Sequence, residues 1–446
     1  MAQSIPISAG TLDPTFAKGG VLTLPTAEFT GYYTKAILPL AENKLLIAMQ
    51  LRRATAAIGL GKVNEDGSID MEFGGAGTGL VEFSLQGADL DVYQLCGLSD
   101  GGWLVISQFS SIDHSGACVL RYLQDGRLNT LFGEGGVRLL PYRNEPTGGE
   151  MANGPAISTG GARSSGNNGV AVVVQPDGKI VLPSWVETGP GPSQGQWAVF
   201  RLNPDGSTDD TFNGNGFVVI ELPGIPRDPT SVRNVVIQAD GKVLVSGEYV
   251  QNTPASRGVY VLRLDAAGRL DSSFNGGVGV VTVPDANFTY ANAMALRESD
   301  GAIVVAGDIW REQRRHGLMF VLTSGGFFDF SFNSGQPLFS RLVPQGHDWH
   351  RCVWQADGSI LVAGTTGRGV VEAGASALTA RLRADGSLDP TFGGGGFVLF
   401  DEDGQHETVE DMALMPDGRI VVGGFAWLDH PGSPMIGGSW IIRYLA

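Results

Sequence analysis

DGSLDPTFGGGGFVLF, Asp385–Phe400, is an Asp-Gly turn, a tail ending in Thr-Phe and a short apolar strand, and it decides the fold because it recurs. The tail appears as TLDPTF ending at Phe16, SIDMEF at Phe73, RLNTLF at Phe132, STDDTF at Phe212, RLDSSF at Phe274, FFDFSF at Phe332 and SLDPTF at Phe392. Successive Phe residues stand 57, 59, 80, 62, 58 and 60 positions apart, so the unit is near sixty residues and one copy carries an insertion.

Each Phe except Phe16 is followed by Gly or Asn, the residues that enter left-handed backbone space at low cost. A short alternating strand comes next, as in VLTLP or VVTVP. Then two apolar runs meet at an Asp-Gly turn, as in VVVQPDGKIVLPSW, Val172–Trp185, or VVIQADGKVLVSG, Val235–Gly247. Asp-Gly between alternating runs is a hairpin signal. A third run ends in a basic residue before the next tail. Every unit therefore holds four short strands and no helical periodicity.

Seven four-stranded units around an axis make a β-propeller, which protects sheet edges that an open array would expose. The ends fit each other: one strand, VLTLP, precedes the first hairpin, and the chain stops on the third strand of a unit, SWIIRYLA. The expected fold is an all-β, seven-bladed propeller of four-stranded antiparallel blades, closed by the N-terminal strand joining the C-terminal three. It forms one domain of residues 1–446, with a flexible Gly/Ser/Asn-rich insertion at 147–169.

The paired DGSLDPTFGGGG and VVVQPDGKIVLPSW segments resemble the bacterial delta-60 repeat family from Leu12 to Ala446. The resemblance implies a propeller and carries over no catalytic residues. The copies that depart most are the first, where LAENKL replaces the Asp-Gly turn, and the sixth, with TSGGFFDF.

A formal charge of -16 opposes attraction to nucleic acid or anionic lipid. No apolar run is long enough to span a bilayer, and the start MAQSIPISAG lacks a basic segment followed by an apolar one. These features point to a monomer in the cytoplasm, with leaderless export as the alternative. Cys96, Cys118 and Cys352 are widely separated and odd in number, which points to reduced core thiols and no cofactor-binding motif.

RLNPDGSTD suggests a calcium loop, with Asn203, Asp205 and Asp209 at ligand-like spacing, but Arg201 stands where a first carboxylate belongs. Lys62, Arg121, Arg263 and Arg381 hold the same place. The reading is an ion pair of Arg201 with Asp205 or Asp209, and of Arg381 with Asp385 or Asp389, in place of a metal. The repeated Phe is read as a wedge between blades.

If the Asp-Gly hairpin supplies the two innermost strands, both kinds of repeated turn share one face and the irregular loops share the other. All six histidines, His114, His316, His347, His350, His406 and His430, fall in or beside those loops, as do Trp310, Trp349 and Trp427. The stretch DIWREQRRHG adds a basic cluster of Arg311, Arg314 and Arg315.

Counting seven residues back from each hairpin Asp, or its equivalent in the first copy, gives the inner-strand starts: Lys35, Tyr93, Val170, Arg233, Ala293, His350 and Glu410, with Arg351 and Asp411 adjacent. The main expectation is a noncatalytic module that binds a protein, glycan or small polar ligand through Lys35, Tyr93, Arg233, Trp310, Trp349, His350, Arg351, His406, Glu410, Asp411 and Trp427. The alternatives are a hydrolase or lyase using His350, Arg351, Glu410 and Asp411, and a structural assembly component. A metal variant would draw on His347, His350, His406 and His430, although no HExxH spacing occurs.

Overall fold

The computed structural model describes residues 8–27, 29, 33–51, 56–112, 114–142, 171–187, 195–225, 231–250, 257–367, 374–402, 404–428 and 435–446. Seven four-stranded antiparallel sheets form the blades of a propeller. Their innermost strands are Tyr33–Pro39, Ala88–Gly97, Val173–Val174, Asn234–Ile237, Thr289–Leu296, Arg351–Trp354 and His406–Leu414, which number blades 1 to 7. An Asp-Gly hairpin joins the inner two strands of blades 2 to 7, as expected, and Ala41–Asn43 takes its place in blade 1. The insertion at 147–169 lies outside the described residues.

Closure uses the first strand. Val21–Leu24 pairs antiparallel with Met435–Tyr444, from Val21 opposite Ile442 to Leu24 opposite Ser439, and completes blade 7.

The core sits between blades. Side chains of blade 3, including Val181, Val199 and Phe212, pack with Val235, Val245 and Tyr260 of blade 4. The repeated Phe residues are the wedges: Phe16, Phe132, Phe212, Phe274 and Phe392 are fully buried, and Phe73 and Phe332 nearly so. Gly206 shows why Asp-Gly must supply the next turn. Its φ is +84°, and a Cβ there would sit 2.9 Å from the Phe132 ring of the preceding blade. Glycine is needed for both the backbone and the space.

The basic residue is a latch between blades. Arg201 Nε donates to Asp209 at 2.6 Å, its guanidinium lies 4.6 Å above the Phe212 ring, and Nη1 donates to the Ala266 carbonyl of the next blade at 2.6 Å. Arg263 with Asp271 (2.8 Å), Arg381 with Asp389 (2.7 Å) and Arg443 with Asp13 (2.8 Å) repeat the ion pair. The second Asp of each tail is thus the partner. The first, Asp205 or Asp385, caps its own turn through Ser207 or Ser387. Asp209 also accepts from Lys179 and Thr211, so its oxygens are committed to protein donors.

Two copies deviate for readable reasons. Asn129 replaces the paired Asp in the third tail, and Arg121 turns to Asp100 at 2.6 Å. In the sixth, Val321 stands in the Arg place, and Asp329 faces Arg297 at 4.0 Å.

Candidate functional site

Inner strands enter the propeller at the loop-bearing face, and most of the described ones carry a β-bulge there. The register slips between Thr34 and Ala36, Val92 and Gln94, Tyr290 and Ala293, and Val409 and Asp411. A bulge re-aims a side chain that the pleat would otherwise turn sideways. The strand opposite makes room with glycine: a Cβ on Gly247, Gly307, Gly364 or Gly424 would lie 1.9 Å from a backbone oxygen of the inner segment. The Gly that ends each VSG, VAG or VGG run is therefore the signature of this bend.

The residues at the bend are Lys35, Tyr93, Arg233, Asn292, His350 and Glu410. Five of the seven residues expected from sequence are among them, and blade 5 presents Asn292 and not Ala293. Its Arg297–Ala302 turn is one residue longer than the others, which shifts the count. Val170 lies outside the described residues.

The next position ties one blade to its neighbour. Gln94 exchanges hydrogen bonds with the Val172 backbone, Asn234 donates to the Ala291 carbonyl at 2.9 Å, and Asp411 accepts from Ile37 N–H at 2.8 Å. Arg351 joins this set through its 2.9 Å contact with Asp411. Arg351 and Asp411 are thereby held in the wall between blades 6, 7 and 1.

What remains is a chain of ionisable groups around the axis. Lys35 Nζ lies 3.6 Å from Glu410, 3.9 Å from Asp91 and 3.2 Å from the Tyr33 hydroxyl. Burial pushes the Glu410 carboxyl up, against the pull of Lys35 and His350, and its Oε2 has no hydrogen-bond donor. Burial disfavours the Lys35 charge, but Glu410, Tyr33 and Asp91 together more than offset it. In blade 6, His350 Nε2 is 2.9 Å from Asp348 Oδ1, and Asp348 also accepts from Arg315 and from Thr365 N–H. Those donors hold the Asp348 carboxyl below the usual range despite burial.

Asp308 completes the arrangement from blade 5. Asn292 donates to its Oδ1 at 3.0 Å, while Oδ2 is 3.7 Å from Arg315 Nε and lacks a hydrogen bond. Burial lifts this carboxyl above the usual carboxylate range, with Arg315 opposing and Asp348 adding to the rise. Arg233 pairs with Glu248 at 3.0 Å, and Glu248 in turn accepts from Ala291 N–H of the next blade. Partly exposed Tyr33, Tyr93 and Tyr290 stand among these groups.

Several expected loop residues have other surroundings. Trp349 is buried in the core between blades 5 and 6, not displayed as an anchor. Trp310 and Trp427 are half-buried in strands Ile303–Arg311 and Ile420–Leu428. The basic cluster is spent within the protein: Arg311 pairs with Asp285 at 2.6 Å, Arg314 donates to the Pro344 carbonyl and Arg315 to Asp348.

Among the described residues His347, His350 and His406, drawn together in the metal variant, have separate surroundings. His347 is fully buried, 3.1 Å from Ser340 Oγ and edge-on to Trp349 at 4.6 Å, and burial lowers its imidazole to about 4. His406 Nδ1 accepts from Gly374 N–H at 3.1 Å, and His430 lies outside the described residues. No group of three or more His, Cys, Asp or Glu among the described residues could hold a metal ion. The thiols of Cys96, Cys118 and Cys352 are each pushed up to about 12 by burial.

Asp91, Glu248, Asp308 and Asp348 escaped the sequence count. Glu248 and Asp308 follow the bend glycines Gly247 and Gly307 directly, a signal that could have found them. Asp348 sits in an irregular segment and carries no such mark.

Glu407 gives a measurable consequence of this buried acidity. Burial lifts its carboxyl to about 7, and nearby Asp401 and Glu402 add to the rise, although Glu402 N–H donates to Oε1 at 3.0 Å. The folded state therefore holds a proton that the unfolded chain releases from about pH 4.5 upward, so stability is lost as pH rises from there through 7. Glu407→Gln is expected to be more stable than wild type at pH 8, by up to roughly 3 kcal/mol, and to show no such gain at pH 4. Denaturant midpoints at the two pH values check this.

Comparison with known proteins agrees with the architecture. Residues 175–212, 238–274 and 355–392 match a family described as a domain of unknown function (DUF5122) beta-propeller. No curated protein matches. Among solved structures, the polysaccharide lyase Uly1 is 11% identical over 92% of this chain and 89% of its own, with a TM-score of 0.49. A PL25 ulvan lyase bound to -[GlcA(1-4)Rha3S]- is 11% identical over 94% of each chain (TM-score 0.48). A protein of unknown function from Dyadobacter fermentans is 12% identical over 82% of this chain and 97% of its own (TM-score 0.45). No helix among the described residues is long and apolar enough to cross a membrane.

Proposed function

We propose that this seven-bladed propeller, which matches the DUF5122 (delta-60 repeat) family, binds a neutral, hydroxyl-rich glycan at its loop-bearing mouth and hydrolyses it by acid–base catalysis. The observation that carries the reading is the juxtaposition, on adjacent blades, of His350 tied to Asp348 at 2.9 Å and a buried Glu410 whose Oε2 has no donor. A carboxyl removed from water tends to hold its proton, the state a general acid requires. An imidazole whose Nε2–H is fixed by a carboxylate keeps its other nitrogen as a base.

In glycoside hydrolysis the acid protonates the departing oxygen, while the base takes a proton from the water that attacks the anomeric carbon. Glu410 and His350 would fill these roles, with Asp348 orienting the ring. The ligand class follows from donor balance. Asp308 Oδ2 and Glu410 Oε2 lack donors, and sugar hydroxyls or waters they order can supply them. The partly exposed tyrosines offer amphipathic ring faces. Elimination at a uronate fits less well, since it needs a cation to neutralise the sugar carboxylate. Arg233, Arg315 and Arg351 already pair with Glu248, Asp348 and Asp411, and Lys35 is held among Asp91, Glu410 and the Tyr33 hydroxyl.

The test is a panel of neutral and acidic oligosaccharides assayed for binding by calorimetry and for release of new reducing ends. Saturable binding and cleavage of a neutral member are expected. Binding without cleavage would leave the noncatalytic module, and failure to bind any neutral glycan would overturn both readings. An unsaturated product from an acidic polymer would indicate a lyase instead.

A further inference from the structure

His350 does not lie in regular structure. It precedes the inner strand Arg351–Trp354 at the end of a segment that leaves the outer strand Leu338–Ser340 of the preceding blade. An imidazole borne on such a segment would sample several orientations unless other elements held it, and here four residues on three strands do. Asn292 of blade 5 donates at 3.0 Å to the Trp349 carbonyl, fixing the peptide before His350. Thr365 and Ala363 of blade 6 hold the backbone at Asp348 and His350, at 3.1 and 2.8 Å. Arg315 reaches across from blade 5 to the Asp348 side chain, with its guanidinium also 3.7 Å from Asp308.

Asp348 thus has three donors on two oxygens. His350 Nε2 and Thr365 N share Oδ1, each at 2.9 Å, and Arg315 occupies Oδ2. A carboxylate gripped on both oxygens has no freedom to rotate, so its hydrogen bond to His350 selects one ring tautomer. Among the described residues no hydrogen bond reaches His350 Nδ1.

We infer that Arg315 is a positioning residue for His350: by locking Asp348 it keeps the proton on Nε2 and leaves Nδ1 as the nitrogen that exchanges protons at the mouth. Its value as a catalytic device rests on the proposed role of His350 as base, but the tautomer itself does not. The charged groups facing this imidazole are Asp348 beside it, Arg315 and Asp308 from blade 5, Arg351 next in sequence and Glu410 from blade 7. Arg315 is the link between the two blade 5 and blade 6 carboxylates. Without it Asp308 and Asp348 would face each other uncompensated, and Asp348 would turn away from His350.

The test uses full-length protein labelled with 15N-histidine, the His350 resonances being assigned by their absence in H350Q. Wild type is expected to show the Nε2–H form alone at pH 8, and Arg315→Met a mixture of the two tautomers. Arg315→Lys, which keeps a charge but not the fork, should restore part of the wild-type pattern. A wild-type ring protonated on Nδ1, or an R315M or R315K spectrum identical to wild type in folded protein, overturns the inference. Should R315M fail to fold, the wild-type tautomer and R315K decide it. Where a substrate is cleaved, R315M should lower kcat about 100-fold with KM little changed, as expected for a displaced base. A locked tautomer in wild type, lost in R315M, with no glycan turned over by wild type would sink the catalytic reading alone.

Discussion

Arg443→Ala is expected to destabilise the propeller by roughly 3–5 kcal/mol, the range for removing one partner of a buried ion pair. Arg443 is fully buried in the last strand, and Asp13, its partner at 2.8 Å, belongs to the first repeated tail. The same guanidinium lies 4.5 Å above Phe16 and donates to the Glu65 carbonyl of blade 1 at 2.6 Å, so one side chain joins the C-terminal strand, the N-terminal tail and the next blade. Arg419 reaches Asp13 at 2.8 Å and Glu65 at 2.8 Å, and it and Thr15 would be left holding the carboxylate.

Arg381→Ala is the control. Its pair with Asp389 has equivalent geometry, but the side chains are 11% and 14% exposed instead of 0% and 2%, and it lies in a blade whose strands are continuous in sequence. Water can solvate part of what is left, so the cost should approach 1–3 kcal/mol, the range for a charged hydrogen bond. The two variants also differ in kind. Arg443→Ala should release Val21–Leu24 from its pairing with Ser439–Ile442 and expose the N-terminal segment to protease while the other blades persist; Arg381→Ala should not. Equal denaturant midpoints and identical cleavage patterns would mean that Arg443 plays no special part in closure.

This contrast also explains what the sequence could disclose. Gly206 must be glycine for its own φ and for the Phe132 ring beneath it, so the repeat advertises both turn and wedge in one dipeptide. The period, blade count and closure follow from such local chemistry. The mouth is written in a different way. Lys35, Tyr93 and Glu410 are the extra residues of bulges, and a bulge is recognisable only from the strand opposite, through glycines such as Gly424. One added residue in the Arg297–Ala302 turn was enough to exchange Asn292 for Ala293. Trp349 looked like a displayed ring because its neighbours are polar, yet it folds back into the space between two blades. Asp348 and Arg315 lie 33 residues apart on different blades, and no sequence period connects them.

His350→Gln and Glu410→Gln should separate a working mouth from a merely polar one. Glutamine at 350 can still donate to Asp348, so the local hydrogen bond survives while the proton-accepting nitrogen is lost. Turnover of the cleaved glycan should fall by about 100- to 10,000-fold, the usual contribution of a positioned general acid or base. Glu410→Gln should lower turnover similarly for substrates with a sugar leaving group, but much less for an aryl glycoside, whose leaving oxygen needs no proton. The pH profile gives the sign. Burial raises the Glu410 carboxyl, and the working form is protonated, so wild-type activity should decline as pH rises and that decline should vanish in the variant. Asp411→Asn, which disturbs the contact with Ile37 N–H between blades 7 and 1, should lower the denaturant midpoint without altering the profile. If His350→Gln remains folded and cleaves at the wild-type rate, the acid–base assignment fails and the ionisable ring is a structural plug that binds its ligand without acting on it.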